Sequence, residues 1–298
     1  MNRPAVTIIL PTYNGSRYLE KAVASCRFQT FRDWELIIVD DASTDATPEI
    51  ISRLLQEDGR IRTVRHEINR KLPAALNTGF SLAQGRYLTW TSDDNLYRPA
   101  ALQVMVDFLE RNSGVDIVYT DYEVIDSSGA VRQIRTVSDR ASLVSGNFVG
   151  PSFLYRKHVH ELLEGYDESL FLAEDYDFWL RASVSFAMYP LHQFLYQYRM
   201  HSDSLSITNN EAVDIPYQRA LLQSLPRMVW LNPRETAIGW LNLSALALSD
   251  RNFKGFAKYV CNAMMCAPLV VLLVLIKFIF LGRRATRTSM LQLPDWLK

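Results

Sequence analysis

The sequence predicts an α/β protein, and three observations lead to that fold class. Short apolar runs recur along the first half of the chain, beginning at residues 5–10, and helical stretches separate them. Polar loops follow several of these runs. From Ile215 onward, helical patterns succeed one another without strands. Alternating strands and helices form mostly parallel sheets, so we expect a mostly parallel sheet flanked by helices, with a helical C-terminal extension.

The elements follow in a regular order. A strand at 5–10 precedes a helix whose apolar positions run from Tyr18 to Cys26, and Pro48 suits the first turn of a second helix. The remaining predicted elements are strands at 35–39, 61–65, 87–91 and 148–155, helices at 74–83 and 100–111, and a hairpin across 116–131 that turns at 127–129. We place a boundary near Thr208, which divides the chain into a unit of residues 1–208 and a helical region of residues 209–298.

Composition narrows the function. With 298 residues, the chain is long enough for one large α/β core and a helical appendage. Lys plus Arg and Asp plus Glu both total 32, and no basic stripe with aromatic residues is evident, so we expect no nucleic-acid partner. The three cysteines are odd in number and lack metal-type spacing, and Met1 runs directly into the first strand pattern. These features are typical of a reduced cytosolic protein.

Adjacent acids mark the predicted ligand crevice. The loops that begin at Pro11, Asp40 and Ser92 follow strands, and the carboxyl ends of parallel strands meet at one edge of a sheet. A single acid such as Asp45 is explained by helix capping, but the adjacent Asp93 and Asp94 have only one cap to fill. Clustered carboxylates repel unless a cation is present. Mg²⁺ or Mn²⁺, which leaves coordination positions for substrate phosphates, fits this loop.

Five short segments resemble the family-2 glycosyltransferases in their order and approximate spacing. They are Pro-Thr-Tyr-Asn at 11–14, Val-Asp-Asp-Ala-Ser-Thr-Asp at 39–45, Asn-Thr-Gly at 77–79, Ser-Asp-Asp-Asn at 92–95 and Glu-Asp at 174–175. The resemblance extends over residues 6–206. It implies the GT-A fold and transfer of a sugar from a nucleotide diphosphate donor, a UDP-sugar by family weight, to a saccharide or lipid-linked acceptor, in polysaccharide or glycolipid biosynthesis.

The resemblance also implies donor-side roles. Tyr13 looks like the aromatic residue that lies against the nucleobase, Asp41 like the acceptor of a base N–H, and Asp94 like the metal ligand. The metal would stabilise the charge that develops on the leaving diphosphate. The donor-binding residues implied are Pro11, Tyr13, Asp41, Lys71, Asp93 and His201, where Asp93 would bond the ribose or sugar and His201 would approach the diphosphate or metal. Many relatives carry Ala-Arg-Asn where this chain has Ala-Leu-Asn at 75–77, and Lys71 or Arg70 would compensate.

On the acceptor side, the segment 171–181 is similar to the family motif in which the second acid of a Glu-Asp pair is the general base. Asp175 would take that role beside Glu174, and an inverting reaction needs one such base. The two acids open a predicted helix whose dipole would keep Asp175 ionised, with Asp177 behind them. The acceptor-side residues implied by the resemblance are Gly150, Ser152 and Trp179.

The C-terminal region contains an apolar segment at about 259–281. A helix over 268–281 would be roughly 21 Å long, shorter than the roughly 30 Å hydrocarbon core of a membrane, and basic residues flank the segment on both sides. We therefore expect a peripheral or monotopic attachment to the inner face of the cytoplasmic membrane. A true span, or a helix buried in the core or in a homo-oligomer, is the alternative.

Two other classes compete with a glycosyltransferase. A sugar nucleotidyltransferase would show a Gly-rich phosphate loop followed by an arginine near the N-terminus, and residues 11–15 contain no such loop. A non-catalytic nucleotide-sugar-binding protein of the same fold would not need the complete set of acids.

Overall fold

The structure is a computed structural model that describes residues 3–202, 204–208 and 213–281. Four parallel strands form the first half of its sheet, in the order β3-β2-β1-β4. These strands are β1 (Val6–Thr12), β2 (Trp34–Asp40), β3 (Ile61–Arg65) and β4 (Tyr87–Trp90). The helices that connect them are α1 (Leu19–Arg27), α2 (Thr47–Glu57) and α3 (Lys71–Ser81). Their carboxyl ends share one edge of the sheet, as the alternating pattern predicts.

The second half of the sheet is mixed. After β4 the order continues β8-β6-β9-β5, and β7 pairs with β6; β4–β8, β6–β8, β6–β7 and β5–β9 are antiparallel, whereas β6–β9 is parallel. The elements are β5 (Leu96–Tyr97), α4 (Ala101–Arg111), β6 (Ile117–Ile125), β7 (Val131–Arg135), β8 (Phe153–Arg156), α5 (Lys157–Leu163), α6 (Glu174–Ser185) and β9 (Met188–Arg199). The α/β class is confirmed, and the parallel pairing is concentrated in the first half.

Two predicted elements differ from the structure in this second half, and one long strand was missed. The hairpin turns where expected, but its second strand begins only at Val131. The strand predicted over 148–155 shortens to β8, because Gly150 lies in the left-handed region, with φ 72°, and interrupts extended backbone. Strand β9 was not predicted, since its buried and exposed residues do not alternate cleanly and its register with β6 shifts near Thr120.

The C-terminal region is helical, as predicted. It contains α8 (Asp214–Ser224), α9 (Pro233–Ser249), α10 (Phe253–Cys266) and α11 (Pro268–Leu281), and α7 (Leu205–Thr208) lies just before the predicted boundary. Helix α9 starts with a capping box in which Asn232 and Glu235 satisfy each other's backbone N–H groups. Within the described residues, no helix is both long enough and apolar enough to cross a membrane.

The two faces of the sheet bury separate hydrophobic clusters. Successive side chains of a strand point to opposite faces, so Ile8 packs with α1, α2 and α4 while Ile9 packs with α3 and α6. The cluster that contains Ile9 continues into the C-terminal region, where it includes Leu221 of α8 and Leu243 of α9. A shared core therefore joins α8 and α9 to α6, and the division near Thr208 stays a prediction about chain organisation.

Candidate active site

The loops after β1, β2 and β4 meet at the carboxyl edge of the sheet. The backbone N–H of Asn14 donates to Ser43 Oγ at 2.9 Å, and Asn14 Oδ1 accepts from the backbone N–H of Thr44 at 2.8 Å. Asp45 accepts from the backbone N–H groups of Ser16 and Thr47, at 3.2 and 3.0 Å. Asp45 therefore ties the first loop to the start of α2 from the position before the N-cap Ala46, rather than serving as the N-cap that the sequence favoured.

Asp93 sits on the loop that follows β4. Thr12 Oγ1 donates a hydrogen bond to its Oδ2. Burial, and secondly the charge of Asp94, raises the pKa of Asp93 to about 7. A Cβ on Gly15 would overlap both the Asp93 carboxylate and the Thr12 hydroxyl, so only glycine leaves room for this pair. Thr12 belongs to the segment at 11–14 and Gly15 directly follows it, but neither was assigned a role from the sequence.

Asp94 has one oxygen that is paired and one that is not. Its Oδ2 lies 3.1 Å from Nε2 of His201, whereas Oδ1 is buried and has no partner among the described residues. Burial raises the pKa of Asp94, and the hydrogen bond from His201 opposes that rise. A buried oxygen of this kind suits a hard cation. The described part of the chain does not bring three or more His, Cys, Asp and Glu side chains together as a metal cluster.

Arg199 supports this loop and was given no role from the sequence, although it lies two residues before His201. Its side chain is only 2% exposed, with Nε donating to the carbonyl oxygen of Asp94 at 2.9 Å and Nη1 donating to that of Asp126 at 2.9 Å. The guanidinium carbon also lies 4.6 Å from the centre of the Tyr18 ring. Arg199 thus joins the acidic loop to β6 and β9, and its charge opposes the raised pKa of Asp94.

Asp41 is buried and holds the backbone that enters α3. It accepts from the backbone N–H groups of Arg70 and Lys71, each at 2.8 Å, and lies 2.7 Å from Nδ1 of His66. The other ring nitrogen of His66 lies 3.0 Å from the Thr78 hydroxyl. No role for His66 was predicted from the sequence. Its partners can be recognised only after β3 has been placed beside β2.

The other donor-side predictions fall in different surroundings. Tyr13 is 50% exposed on the loop after β1, where its ring face is accessible. Lys71 is exposed at the first position of α3, and Pro11 is buried inside β1 opposite Val39 of β2. Proline has no N–H to offer, so at Pro11 the chain can present only its backbone carbonyl at this edge.

Left-handed backbone conformations concentrate at the loops that border this edge and at the entry to α6. The non-glycine residues concerned are Asn14 at φ 56°, Ala42 at φ 66°, Lys71 at φ 74° and Leu172 at φ 76°. Each such residue costs about 1–3 kcal/mol and persists only when its surroundings hold it. The hydrogen bonds of Asp41 hold Lys71, and those between the first two loops hold Asn14.

The second acid pair opens α6, as the sequence predicts. Asp175 is half-buried, its Oδ1 accepts from the backbone N–H of Tyr176, and its Oδ2 accepts from Nδ2 of Asn147, both at 2.7 Å. Burial raises the pKa of Asp175 to about 6, so it outweighs the helix terminus that we expected to hold this group fully ionised. The carboxylate still titrates just below neutral pH, the range suited to a general base.

Glu174 differs from its neighbour. It is 5% exposed, and its Oε2 has no hydrogen-bond partner among the described residues. Burial, and secondly the charge of Asp175, raises the pKa of Glu174 to about 8. The two acids titrate as a coupled pair, and the hydrogen bonds on both oxygens of Asp175 favour its ionised form over that of Glu174.

The acceptor-side residues separate into two kinds. Gly150 lies in the segment before β8, and a side chain there would meet the ring of Tyr122. Ser152 and Trp179 have no exposed surface: the Ser152 hydroxyl pairs with that of Thr120 at 2.6 Å, and Trp179 packs in the core. We therefore assign these two side chains to packing rather than to acceptor contact. Asp177 is likewise buried in an ion pair with Arg181 at 2.7 Å, behind the acid pair as expected.

The family follows once this geometry is compared with known proteins. The model of glycosyl transferase family 2 matches residues 7–163, which include the loops after β1, β2 and β4. The chain belongs to glycosyl transferase family 2. As a family-2 member it is a glycosyltransferase, and the resemblance deduced from five short segments is confirmed.

Several curated relatives are named as glycosyltransferases. EpsE of Bacillus subtilis, named as a glycosyltransferase, is 32% identical over 208 residues, which cover 67% of this chain and 75% of EpsE. A glycosyltransferase of Methanocaldococcus jannaschii is 28% identical over 210 residues, 67% of this chain and 72% of the relative. Chondroitin synthase of Escherichia coli is 27% identical over 228 residues, which are 76% of this chain but only 33% of that enzyme.

Solved structures agree on the fold. Residues 1–349 of S. aureus TarS in complex with UDP match with a TM-score of 0.61 and 15% identity, covering 86% of this chain and 90% of that one. The mannosyltransferase PcManGT of Pyrobaculum calidifontis, in complex with GDP-Man and Mn²⁺, matches with a TM-score of 0.61 and 20% identity over 97% of this chain and 85% of that one. Both support the GT-A-like architecture of the family-2 chain.

Proposed function

We propose that this family-2 glycosyltransferase moves a sugar from a nucleotide diphosphate donor to an acceptor hydroxyl with inversion, that a divalent cation assists, and that Asp175 is the general base. The observation that carries the proposal is the presence of two pairs of acids that are neighbours in sequence, Asp93 with Asp94 and Glu174 with Asp175. Both contain raised carboxyl pKa values and a buried carboxylate oxygen without a partner among the described residues. Acids in such environments are costly and are typical of functional sites.

The donor nucleotide would lie along the first two loops. The exposed ring of Tyr13 offers a stacking face worth about 1–3 kcal/mol for a base. Asp41 already accepts three donors, from His66, Arg70 and Lys71, which leaves about one of its roughly four acceptor positions open. Uracil presents one ring N–H, whereas guanine presents a ring N–H and an amino group. This count favours a UDP-sugar, and solved neighbours bind UDP, UDP-GlcNAc and GDP-Man.

Asp94 is the residue that would hold Mn²⁺ or Mg²⁺, with Asp93 beside it on the ribose or sugar. When bound, such a cation neutralises charge on the leaving diphosphate. The free Oδ1 of Asp94 supports this assignment, because these cations take one or two carboxylates and complete their coordination with substrate phosphates. His201, on the other oxygen of Asp94, fixes the orientation of the carboxylate, and the exposed Lys71 would contribute positive charge near the diphosphate.

Asp175 would remove the proton of the acceptor hydroxyl. Inversion requires the acceptor oxygen to attack from the side opposite the leaving group, and one carboxylate suffices to take its proton. With a pKa of about 6, Asp175 is ionised at neutral pH and still basic enough to accept a proton. Burial and the neighbouring charge raise the pKa of Glu174, and the donors on both oxygens of Asp175 favour the ionised form of Asp175 within the pair.

A membrane-linked acceptor would suit the exposed surface of the last two helices. Helix α10 exposes Met264 and Met265, and α11 exposes Leu269, Leu272 and Leu273. We propose that this apolar surface rests in the inner leaflet and brings the site to a lipid-linked saccharide, which corresponds to a peripheral or monotopic cytoplasmic enzyme. The same apolar face packed against a second copy of the chain would be the alternative.

A donor panel tests the activity without knowledge of the acceptor. The protein is incubated with UDP-, GDP-, CDP- and TDP-sugars, with Mn²⁺ or with EDTA, and the products are identified by mass spectrometry. We expect release of one nucleoside diphosphate and its free sugar, faster with Mn²⁺, and NMR of the sugar should show the inverted anomer at early times.

The variant Glu161→Gln, which replaces an exposed acid on α5 outside the crevice, should give the same products as the unchanged protein. A nucleotidyltransferase would instead release pyrophosphate from a nucleoside triphosphate and a sugar phosphate, and a binding protein would retain the donor intact. Either outcome contradicts the proposal, as does retention of the donor's anomeric configuration.

A further inference from the structure

One side chain from the segment between β7 and β8 reaches the proposed base. This segment contains a 3-10 turn at Arg140–Ser145 and continues to Asn147, whose Nδ2 lies 2.7 Å from Oδ2 of Asp175. An ionised carboxylate can only accept hydrogen bonds, so the amide N–H of Asn147 must be the donor. With Tyr176 N–H on Oδ1, each oxygen of the base has one donor that fixes its orientation.

The contact with Asp175 is the one side-chain hydrogen bond that Asn147 makes within the described part of the chain. Its Oδ1 is buried and has no partner there. An asparagine that served to hold the loop would bond to backbone groups of that loop. The amide of Asn147 is therefore directed at the base and not at its own segment.

The backbone that presents Asn147 is held from two sides. From α6, the hydroxyl of Tyr176 donates to the carbonyl of Leu143 at 2.5 Å, and from α9, Nδ2 of Asn242 donates to the carbonyl of Val144 at 2.7 Å. Both donors are buried. The amide of Asn147 thus approaches Asp175 from a segment whose position is set by the catalytic helix and by the C-terminal helical region.

We propose that Asn147 is a positioning residue that orients the Asp175 carboxylate toward the acceptor hydroxyl and stabilises its ionised form. This inference rests on the proposed role of Asp175 as the base. It gives the C-terminal helices a part in the chemistry, since α9 holds the segment that carries Asn147.

The ionisable groups around Asp175 define what a pH profile would report. They are Glu174 on its own helix, Tyr166 in the segment before α6 and Tyr217 on α8. Burial raises the pKa of both phenols, so they remain neutral across the working range. The acid limb of the pH–rate profile therefore reports the titration of the Asp175 and Glu174 pair. The hydrogen bond from Asn147 lowers the pKa of Asp175, against the effect of burial.

The test is the pH dependence of UDP release from the UDP-sugar that is hydrolysed fastest in the donor panel. In Asn147→Ala we expect the acid limb to move up by about one pH unit and the plateau rate to fall about tenfold, with the donor KM unchanged. Asn147→Asp, which puts a second carboxylate beside the base, should move the limb further. Asn147→Ser keeps a short donor and should recover part of the shift. Ser142→Ala, in the same segment, is the control.

If the acid limb of the pH–rate profile stays in place in all three Asn147 variants, the inference is wrong. It is also wrong if the rate falls equally at every pH and the donor KM rises. Because Asn147→Ser is polar and small, it keeps the test valid if the alanine variant does not fold. The Asp175→Asn variant separates the two ideas: full activity there refutes the base itself, whereas an inactive Asp175→Asn with unmoved Asn147 profiles refutes only the positioning role.

Discussion

The two acid pairs have the same form in the sequence but occupy different environments. Asp93 and Asp94 follow a parallel strand, and their neighbours are a threonine hydroxyl, a histidine and the buried Arg199. Glu174 and Asp175 open a helix, and the side-chain donor to Asp175 is a neutral amide. Both pairs keep a buried oxygen without a partner among the described residues, but the first pair lies beside the positive charge of Arg199. The second pair depends on burial and neutral donors, which tune a pKa instead of binding charge.

This difference teaches that an adjacent pair of acids does not specify one chemistry. Near Arg199 the second acid of the pair keeps one oxygen without a partner among the described residues, and the charge of Arg199 and the hydrogen bond from His201 oppose the rise in its pKa that burial causes. At the start of α6 the burial of Glu174 favours one bound proton on the pair. The pair then has one ionised carboxylate, which is suited to proton transfer.

The largest expected effect is that of Asp175→Asn. Asparagine keeps the shape of the side chain but cannot take a proton, so transfer should fall by about 10²–10⁴-fold. Donor binding in the presence of Mn²⁺, measured by calorimetry, should be unchanged, since Asp175 belongs to the acceptor side. The exposed Glu161→Gln is the control. Loss of donor binding together with transfer would show that the two pairs do not divide the work as proposed.

The second effect is that of Asp94→Asn on the metal. The cation would lose its carboxylate ligand, and we expect transfer to fall by about 10²–10³-fold, with most of the advantage of Mn²⁺ over EDTA removed. Donor affinity should fall with Mn²⁺ present and change little in EDTA. Asp107→Asn, on the exposed face of α4, is the matched control. Unaltered dependence on Mn²⁺ in Asp94→Asn would assign the cation to other residues.

The third prediction concerns stability and the proton on Glu174. Burial raises the pKa of Glu174 to about 8 in the folded protein, against an ordinary value of 4.5. Between these two pH values the folded state binds more protons than the unfolded state, so the free energy of unfolding falls as pH rises from about 4.5 to about 8. We expect Glu174→Gln to reduce this fall by about 2–4 kcal/mol in urea titrations at pH 5 and 8.5. The same fall in the variant and in Glu161→Gln would locate the proton elsewhere.

The smallest expected effect on activity is that of changes to the exposed apolar surface of the C-terminal helices. Replacing Leu269, Leu272 and Leu273 of α11 with glutamine should shift the protein from the membrane fraction to the soluble fraction in sedimentation assays. Hydrolysis of the nucleotide sugar should change less than about twofold, because the donor side is built on the sheet. Val229→Gln, at an exposed apolar position between α8 and α9, is the control. A triple variant that still sediments with membranes would place the attachment elsewhere.

The sequence alone determined the parts of this protein in which contacts are local or periodic. Apolar runs and helical spacing predicted β1 to β4 with their helices; the acids at 93–94 follow the last of these strands, and the acids at 174–175 open a helix that the same spacing predicted. The parallel order of the first strands follows from right-handed crossovers, so even the meeting of three loops at one edge was predictable. Resemblance to the family needed only short segments in order, three of which lie at the ends of β1, β2 and β4, while the segments at 77–79 and 174–175 lie in α3 and at the start of α6.

Only the tertiary structure decided which groups support those acids. Arg199 reaches Asp94 across 105 residues of sequence, and Asn147 reaches Asp175 because α9 and α6 hold its segment in place. The burial of Ser152 and Trp179 and the insertion of β9 beside β6 are likewise set by packing. The physical reason is that pKa values, hydrogen-bond partners and burial depend on atoms within a few ångströms, and these atoms come from distant positions whose pairing no local pattern encodes.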